Sequence, residues 1–249
     1  MIKIIWNWIQ RFSSPKYFYE MSGKLIPWFA LPAIGLGFYG LYLGLFVAPA
    51  DYQQGESYRI IYVHVPAAWM SLFIYVVMAV TSAIGLIWKI RLADMVASAS
   101  APIGASFTFL ALVTGSLWGK PMWGAYWVWD ARLTSELILL FLYFGYMALQ
   151  ASIEDQRTSD KASGLLAIVG VVIIPIIHYS VDWWSTLHQG ATVAKFDKPS
   201  MDTSMLIPLL LMAFAAKFFY AALVLVRTRN EALYRDRNRR WVRELVEKI

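Results

Sequence analysis

Residues 61–88 read IYVHVPAAWMSLFIYVVMAVTSAIGLIW, a stretch without a single Asp, Glu, Lys or Arg. Roughly 20 mostly apolar residues are enough for a helix to cross the hydrocarbon core of a bilayer. Five other stretches are comparably apolar, and none alternates with the period of two that a membrane β-barrel requires. We therefore predict an all-α, polytopic membrane protein with six transmembrane helices, at residues 25–47, 61–88, 96–117, 133–150, 162–181 and 205–226.

The composition of the whole chain agrees with this fold class. Of its 249 residues, 59% are hydrophobic and 15% are charged, against about 45–50% and about 25% in an average soluble protein. The same figures exclude disordered, collagen-like and coiled-coil proteins. The chain contains no cysteine, which excludes disulfides, thiolate metal ligands, iron–sulfur clusters and thiol catalysis.

The Lys and Arg residues outside the predicted spans are unevenly distributed. Sixteen lie on the side that holds both termini, and five lie on the other side. Because loops rich in Lys and Arg stay in the cytoplasm, we expect both termini to be cytoplasmic. The chain then consists of a cytoplasmic N-terminal segment (1–24), a six-span membrane domain (25–226) and a basic cytoplasmic tail (227–249). We expect the tail to form a helix that lies on anionic lipid or binds a cytoplasmic partner.

The third loop, which this orientation places outside, is rich in tryptophan. Residues 118–134 read WGKPMWGAYWVWDARLT and contain Trp118, Trp123, Trp127, Trp129 and Asp130. An aromatic belt alone would place tryptophans near helix ends on both membrane faces. If the segment is helical from Pro121, Trp123 and Trp127 share one face, and such an indole surface suits a large, flat, apolar ligand. We expect Asp130 to order the loop by accepting indole or backbone N–H groups.

All three histidines lie on the same outer side, namely His64, His178 and His188. Neutral imidazole is the usual metal ligand in a chain that lacks cysteine. Zinc needs three or four protein ligands, whereas haem iron needs two axial ligands and an apolar environment for its macrocycle. We therefore predict a haem held by His64 and His188. We expect His178, which lies deeper in the fifth span, to be hydrogen-bonded inside the bundle.

Other residues would surround such a site. Cations for the haem propionates are Arg59, Lys120 and Arg132, and two further tryptophans border the site, Trp183 and Trp184. Two other functions stay open: a bis-histidine haem oxidoreductase, which would usually hold its haem deep between the spans, and a haem permease subunit. A permease needs a polar path, and the sixth span offers Lys217, which faces either a partner or the bundle interior.

The residues quoted above carry a family resemblance. Residues 118–134 resemble the tryptophan-rich WWD signature of the haem-handling proteins of cytochrome c maturation. With its six spans, its length and the run HYSVDWWSTLHQG at residues 178–190, the chain is similar to the CcmC (haem exporter protein C) family over essentially its whole length. That resemblance implies axial ligation by His64 and His188, with Trp118, Trp123, Trp127, Trp129 and Asp130 as the haem platform.

The resemblance also implies a cellular setting. CcmC-like proteins lie in the bacterial inner membrane in an ABC-type complex with CcmA, CcmB and CcmD. They bind haem b as cargo and present it to the haem chaperone CcmE. The chain has no GxxxxGK[ST] loop, so ATP hydrolysis is expected of a partner, and no nucleic-acid partner is expected. We expect no enzymatic activity of the chain alone, and whether it contributes to covalent haem attachment stays open.

Overall fold

The computed structural model describes residues 13–184, 186–188, 190, 193 and 198–247, and these residues form helices and loops without a β-strand. The α-helices of this part are α1 (Pro15–Tyr42), α2 (Ile61–Trp88), α3 (Arg91–Trp123), α4 (Ala131–Ser152), α5 (Gln156–Gly170), α6 (Ile173–Trp183), α7 (Thr203–Arg235) and α8 (Arg240–Val246). A π-helical turn (Leu43–Val47) extends α1, and a 3₁₀ turn (Glu56–Ile60) precedes α2. Within the described residues, six helical segments are long and apolar enough to cross a membrane, which confirms the predicted class.

Successive spans are joined at alternate ends, so the bundle has two ends of different character. We call the end that carries His64 and Asp130 the histidine end. The opposite end, where α3 begins at Arg91 and α7 finishes at Arg235, is called the basic end. The direction in which the bundle crosses the membrane stays a prediction from the distribution of Lys and Arg.

The first and last spans extend beyond the predicted boundaries. Helix α1 already begins at Pro15, because a proline at the first helical position needs no intrahelical acceptor for an N–H group. It therefore includes part of the segment 1–24. Helix α7 continues past Arg227 to Arg235. The prediction of one tail helix over 227–249 is therefore wrong, since the tail begins as the last turns of α7 and continues as the separate helix α8.

Ion pairs attach this tail to the bundle. Arg235 donates to both carboxylate oxygens of Asp160, at 2.7 and 3.0 Å. Asp236 accepts from Arg91 at 2.9 Å and from the indole N–H of Trp241 at 3.1 Å. The side chains of Arg235 and Asp160 are 4% and 12% exposed, so loss of either partner would leave a nearly buried charge. Side chains of the bundle itself therefore hold the start of the tail.

The fifth span consists of two helices rather than one. Helix α5 ends at Gly170 and α6 begins at Ile173. Pro175 has no N–H group to donate to the carbonyl of Val171, which instead accepts from Ile174 at 3.0 Å. Because of this break, α6 begins as a separate helix, and the chain after α6 leads towards His188.

Aromatic packing holds α2, α3 and α4 together in the middle of the bundle. The rings of Tyr75 and Tyr143 meet edge-on at 5.1 Å, and the Tyr143 hydroxyl donates to the carbonyl of Ser71 at 2.7 Å. A Cβ atom on Gly104 would lie 2.2 Å from the Tyr143 ring, so only glycine lets α3 approach this closely. Tyr143 of α4 thus contacts both α2 and α3, and these two helices also meet each other at His64 near the histidine end.

Candidate functional site

His64 lies in the first turn of α2 and faces α3. Its Nδ1 atom is 3.1 Å from the carbonyl oxygen of Ala111 and 3.0 Å from Oγ1 of Thr114. A carbonyl only accepts, and the Thr114 hydroxyl donates its own proton to Leu110 at 2.6 Å, so Nδ1 of His64 must be the donor. The proton is therefore on Nδ1, and Nε2 keeps a lone pair that can bind a metal.

The His64 imidazole packs against α3 at a glycine. A Cβ atom on Gly115 would lie 2.9 Å from Cε1 of His64, so the ring packs where a side chain is missing. One turn further, the Trp118 ring meets His64 edge-on at a centroid distance of 5.6 Å. The indole N–H of Trp118 donates to the side-chain oxygen of Gln54 at 3.0 Å. Tryptophan and imidazole are thus both oriented by polar contacts.

His188 is held by Asp130, the residue just before α4. Helix α3 ends at Trp123 and is capped by Gly124, whose φ of +77° is the left-handed conformation that suits glycine. After the loop, Asp130 caps α4, with Oδ1 accepting the N–H of Leu133 at 2.8 Å. Its Oδ2 atom lies 2.9 Å from Nδ1 of His188. Since a carboxylate accepts, Nδ1 of His188 also carries the proton and Nε2 keeps its lone pair.

The charge state of His188 agrees with this geometry. Burial lowers its pKa, and the hydrogen bond to Asp130 opposes that effect only in part. The imidazole is therefore neutral near pH 7, which is the form that binds metal ions. The ring of Trp123 meets it edge-on at 4.8 Å, so each of the two histidines has its own tryptophan neighbour.

The two imidazoles are held by different helices, His64 by α3 and His188 by the carboxylate at the start of α4, and Arg132 lies two residues after that carboxylate. Among the described residues, no group of three or more His, Asp or Glu side chains is arranged to hold a metal ion. What the site offers is two Nε2 lone pairs from elements far apart in the sequence. This donor set suits a metal centre that needs only two axial protein ligands.

The tryptophan-rich loop differs from the predicted helical surface. Helix α3 ends at Trp123 and residues 125–130 are not helical, so Trp123 and Trp127 do not share a helix face, and that prediction is wrong. Trp127 is half-buried and meets Trp129 edge-on at 5.4 Å, and Trp129 is 76% exposed. Trp127 and Trp129 therefore form one edge-on pair, while Trp118 and Trp123 each meet a histidine, so the four rings do not form one flat surface.

The three predicted cations differ in their surroundings. Arg59 donates to the carbonyl of Gly44 at 2.6 Å and forms an ion pair with Glu56. Lys120 is exposed and donates to the carbonyl of Gly124 at 3.0 Å, which satisfies the end of α3. Arg132 lies in the first turn of α4, two residues after Asp130, the carboxylate that contacts His188.

His178 does not lie inside the bundle, so the expectation for this residue is wrong. It is exposed on α6, and its ring meets that of Tyr179 at 4.7 Å. Tyr179 stacks on Trp183 at 5.4 Å, and Trp183 and Trp184 are 58% and 50% exposed. The predicted bordering residues of the fifth span therefore form an aromatic strip on the outer surface of the bundle.

Sequence reasoning missed three residues of α3 that surround His64, namely Ala111, Thr114 and Gly115. Together with Trp118 they occupy positions i, i+3, i+4 and i+7, and in a helix this spacing places them on one face. That small and polar face within an apolar span was a readable signal. The contact of Gln54 with Trp118 had no such signal, because it joins a loop to a distant helix.

A protein-family model described as haem exporter protein C (CcmC) matches residues 8–243 of the chain. The chain belongs to the haem exporter protein C family. Heme exporter protein C of Haemophilus influenzae is 50% identical over 98% of this chain and 100% of its own length. The protein of that name in Escherichia coli is 50% identical over 97% of this chain and 98% of its own length. Heme exporter protein C of Paracoccus denitrificans is 41% identical over 90% of this chain and 92% of its own length. The resemblance read from the two sequence runs is confirmed.

Proposed function

We propose that the chain binds haem b as cargo at its histidine end and presents it to a haem chaperone during cytochrome c maturation. The main support for this proposal is that His64 and His188 have the same tautomer, with the proton on Nδ1. Both Nδ1 atoms donate to protein acceptors, which leaves two Nε2 atoms for haem iron. Membership of the haem exporter protein C family supports the choice of haem.

The surroundings of the histidines fit haem as well. Trp118 and Trp123 supply apolar walls for the macrocycle. The indole N–H of Trp127 is buried and has no acceptor among the described residues, a costly arrangement for a polar group. A propionate of bound haem would supply that acceptor, and Arg132, in the first turn of the helix that follows, offers a cation. Arg59 and Lys120, already engaged by protein oxygens, are weaker candidates for propionate binding.

Presentation follows from the position of the site. The ligating histidines lie at one end of the bundle rather than midway along the spans, which favours hand-over at a surface above electron transfer through the bilayer. We place this end on the periplasmic side of the inner membrane, where exposed Trp129 and Tyr126 border it. The chaperone CcmE would dock over that edge, and CcmA, with CcmB and CcmD, would drive its release by ATP hydrolysis.

The absorption spectrum of the purified full-length chain tests the proposal. Titration with haem should give one bound haem per chain with the spectrum of six-coordinate, low-spin iron, because two imidazoles provide a strong axial field. Addition of the purified chaperone should change that spectrum as haem is shared or handed over. A high-spin spectrum, or no saturable binding, would overturn the assignment.

Gly115 provides a test that leaves both histidines in place. In Gly115→Ala the new methyl group must displace the His64 ring, because it would stand 2.9 Å from Cε1. We expect haem affinity to fall about tenfold through misplacement of the ligand. Gly35→Ala is the matched control, since a Cβ atom there meets nothing within 4 Å. Equal affinities of the two variants, measured by haem titration, would contradict the proposed contact.

A further inference from the structure

Lys217 is a charged residue of the membrane-spanning part that the haem site does not use. It lies in α7 on the outside of the bundle, where Ile207 and Phe214 of the same helix face are 48% and 53% exposed. The sequence left open whether this lysine faces the interior or a partner. In the structure it points away from the bundle interior.

The depth of Lys217 along α7 makes this exposure unusual. It is ten residues from Arg227, which corresponds to roughly 15 Å along a helix. Thr203, where α7 begins, is about 21 Å away in the other direction. The hydrocarbon core of a bilayer is about 30 Å thick, so Lys217 lies near its middle.

Neither headgroup layer is within easy reach of the ammonium group. Side chains on a helix lean towards its N-terminus, and the Nζ atom of Lys217 accordingly lies over the ring of Phe214, one turn in that direction. The side chain thus leans away from the nearer, basic end. None of the ion pairs of the described residues includes Lys217. The free energy gained from an exposed cation–π contact is smaller than the free energy that it costs to bury an ammonium group in hydrocarbon.

The helices around this lysine are also the least covered part of the bundle. Of the six spans, those of α1 and α7 have the smallest buried share within the described chain. These two helices pack on each other, as the contact between Phe29 and Phe218 at 6.2 Å illustrates. Together they present a broad apolar surface with one central positive charge.

We propose that the exposed face of α7 around Lys217 binds a transmembrane helix of another protein, and that this helix carries an aspartate or glutamate at mid-depth. Charge complementarity selects this occupant. Lipid phosphates lie at the membrane surface, and a second copy of the chain would bring another Lys217. The carboxylates in the described spans of such a copy lie within two turns of helix ends, as Glu20 and Glu136 do. The proposal is independent of haem binding.

The test uses the full-length chain in membranes that contain its complete maturation system. Lys217→Leu, Lys217→Arg and Lys217→Glu are purified in mild detergent, and co-purifying membrane proteins are quantified. A photo-crosslinking amino acid at position 217 identifies the contacting segment. The control is the same crosslinking amino acid at position 141, because Phe141 is 60% exposed in the middle of α4. Because Lys217→Leu removes a charge from an apolar surface, membrane insertion should not suffer.

We expect Lys217→Leu to lower recovery of one membrane partner about tenfold, and Lys217→Arg to keep most of it. The crosslinked segment should contain Asp or Glu within one helical turn. Exchange of charges, with Lys217→Glu in this chain and lysine at the partner's carboxylate, should restore recovery. Wild-type recovery with Lys217→Leu, crosslinks to lipid alone, or a crosslinked segment without a carboxylate would each overturn the proposal. Partner recovery is measured whether or not haem is bound, so failure here is distinct from failure of the proposed function.

Discussion

Replacing His188 or His64 by alanine is expected to abolish the six-coordinate, low-spin haem spectrum of the purified protein. Each variant removes one Nε2 donor and leaves the other histidine with its own acceptor, Asp130 for His188 or Ala111 for His64. Iron with a single imidazole is five-coordinate and high-spin, so any haem that stays bound should show this change. The measurement is an absorption spectrum of each variant at equal protein and haem concentrations.

Added imidazole separates loss of a ligand from loss of the fold. The space vacated by either ring can take a free imidazole, which should restore the low-spin bands in both alanine variants. His178→Ala is the control, because His178 is exposed on α6 and contacts Tyr179. It should keep the wild-type spectrum. Low-spin spectra in both His64→Ala and His188→Ala would refute the axial pair, and loss of the spectrum in His178→Ala alone would make His178 a ligand.

The fold could be predicted from sequence to the level of its spans, because a membrane demands long apolar helices whatever their partners. The positions of the helix ends were harder to predict. Hydropathy locates the apolar part of α7 but not its continuation to Arg235, since a helix does not end where it leaves the bilayer. The end of α3 before Gly124 and the break before Ile173 did have local signals, glycine just after a helix end and Pro175 beyond a break. Apolar content alone does not reveal either of them.

The candidate site was predictable as a set of residues, but not as a set of contacts. Histidine and tryptophan types are visible in the sequence, as is their concentration beside two loops. The partners of the imidazoles are separated from them by long stretches of chain: His64 from Thr114, and His188 from Asp130. No periodicity links such positions, because packing of whole helices brings them together. The same packing decides that His178 faces outwards.

Asp130→Asn is expected to weaken haem binding about 10- to 100-fold while leaving the fold intact. Asparagine caps helices as well as aspartate does, so its oxygen can still accept the N–H of Leu133. Its amide nitrogen then faces Nδ1 of His188 as a donor. That contact requires a lone pair on Nδ1 and moves the proton to Nε2, the atom proposed to bind iron. Loss of the carboxylate also makes the imidazole a poorer donor, so the midpoint potential of bound haem should rise.

Asp155→Asn is the matched control for this experiment. Asp155 caps α5 at the basic end, where its Oδ1 atom accepts the N–H of Thr158 at 2.9 Å with no histidine nearby to orient. The two substitutions therefore make the same chemical change at the same kind of helix start. A lower haem affinity in Asp130→Asn but not in Asp155→Asn assigns the effect to the tautomer of His188. Equal haem affinities in the two variants would reduce Asp130 to a helix cap, and His188 would have to be oriented by other contacts.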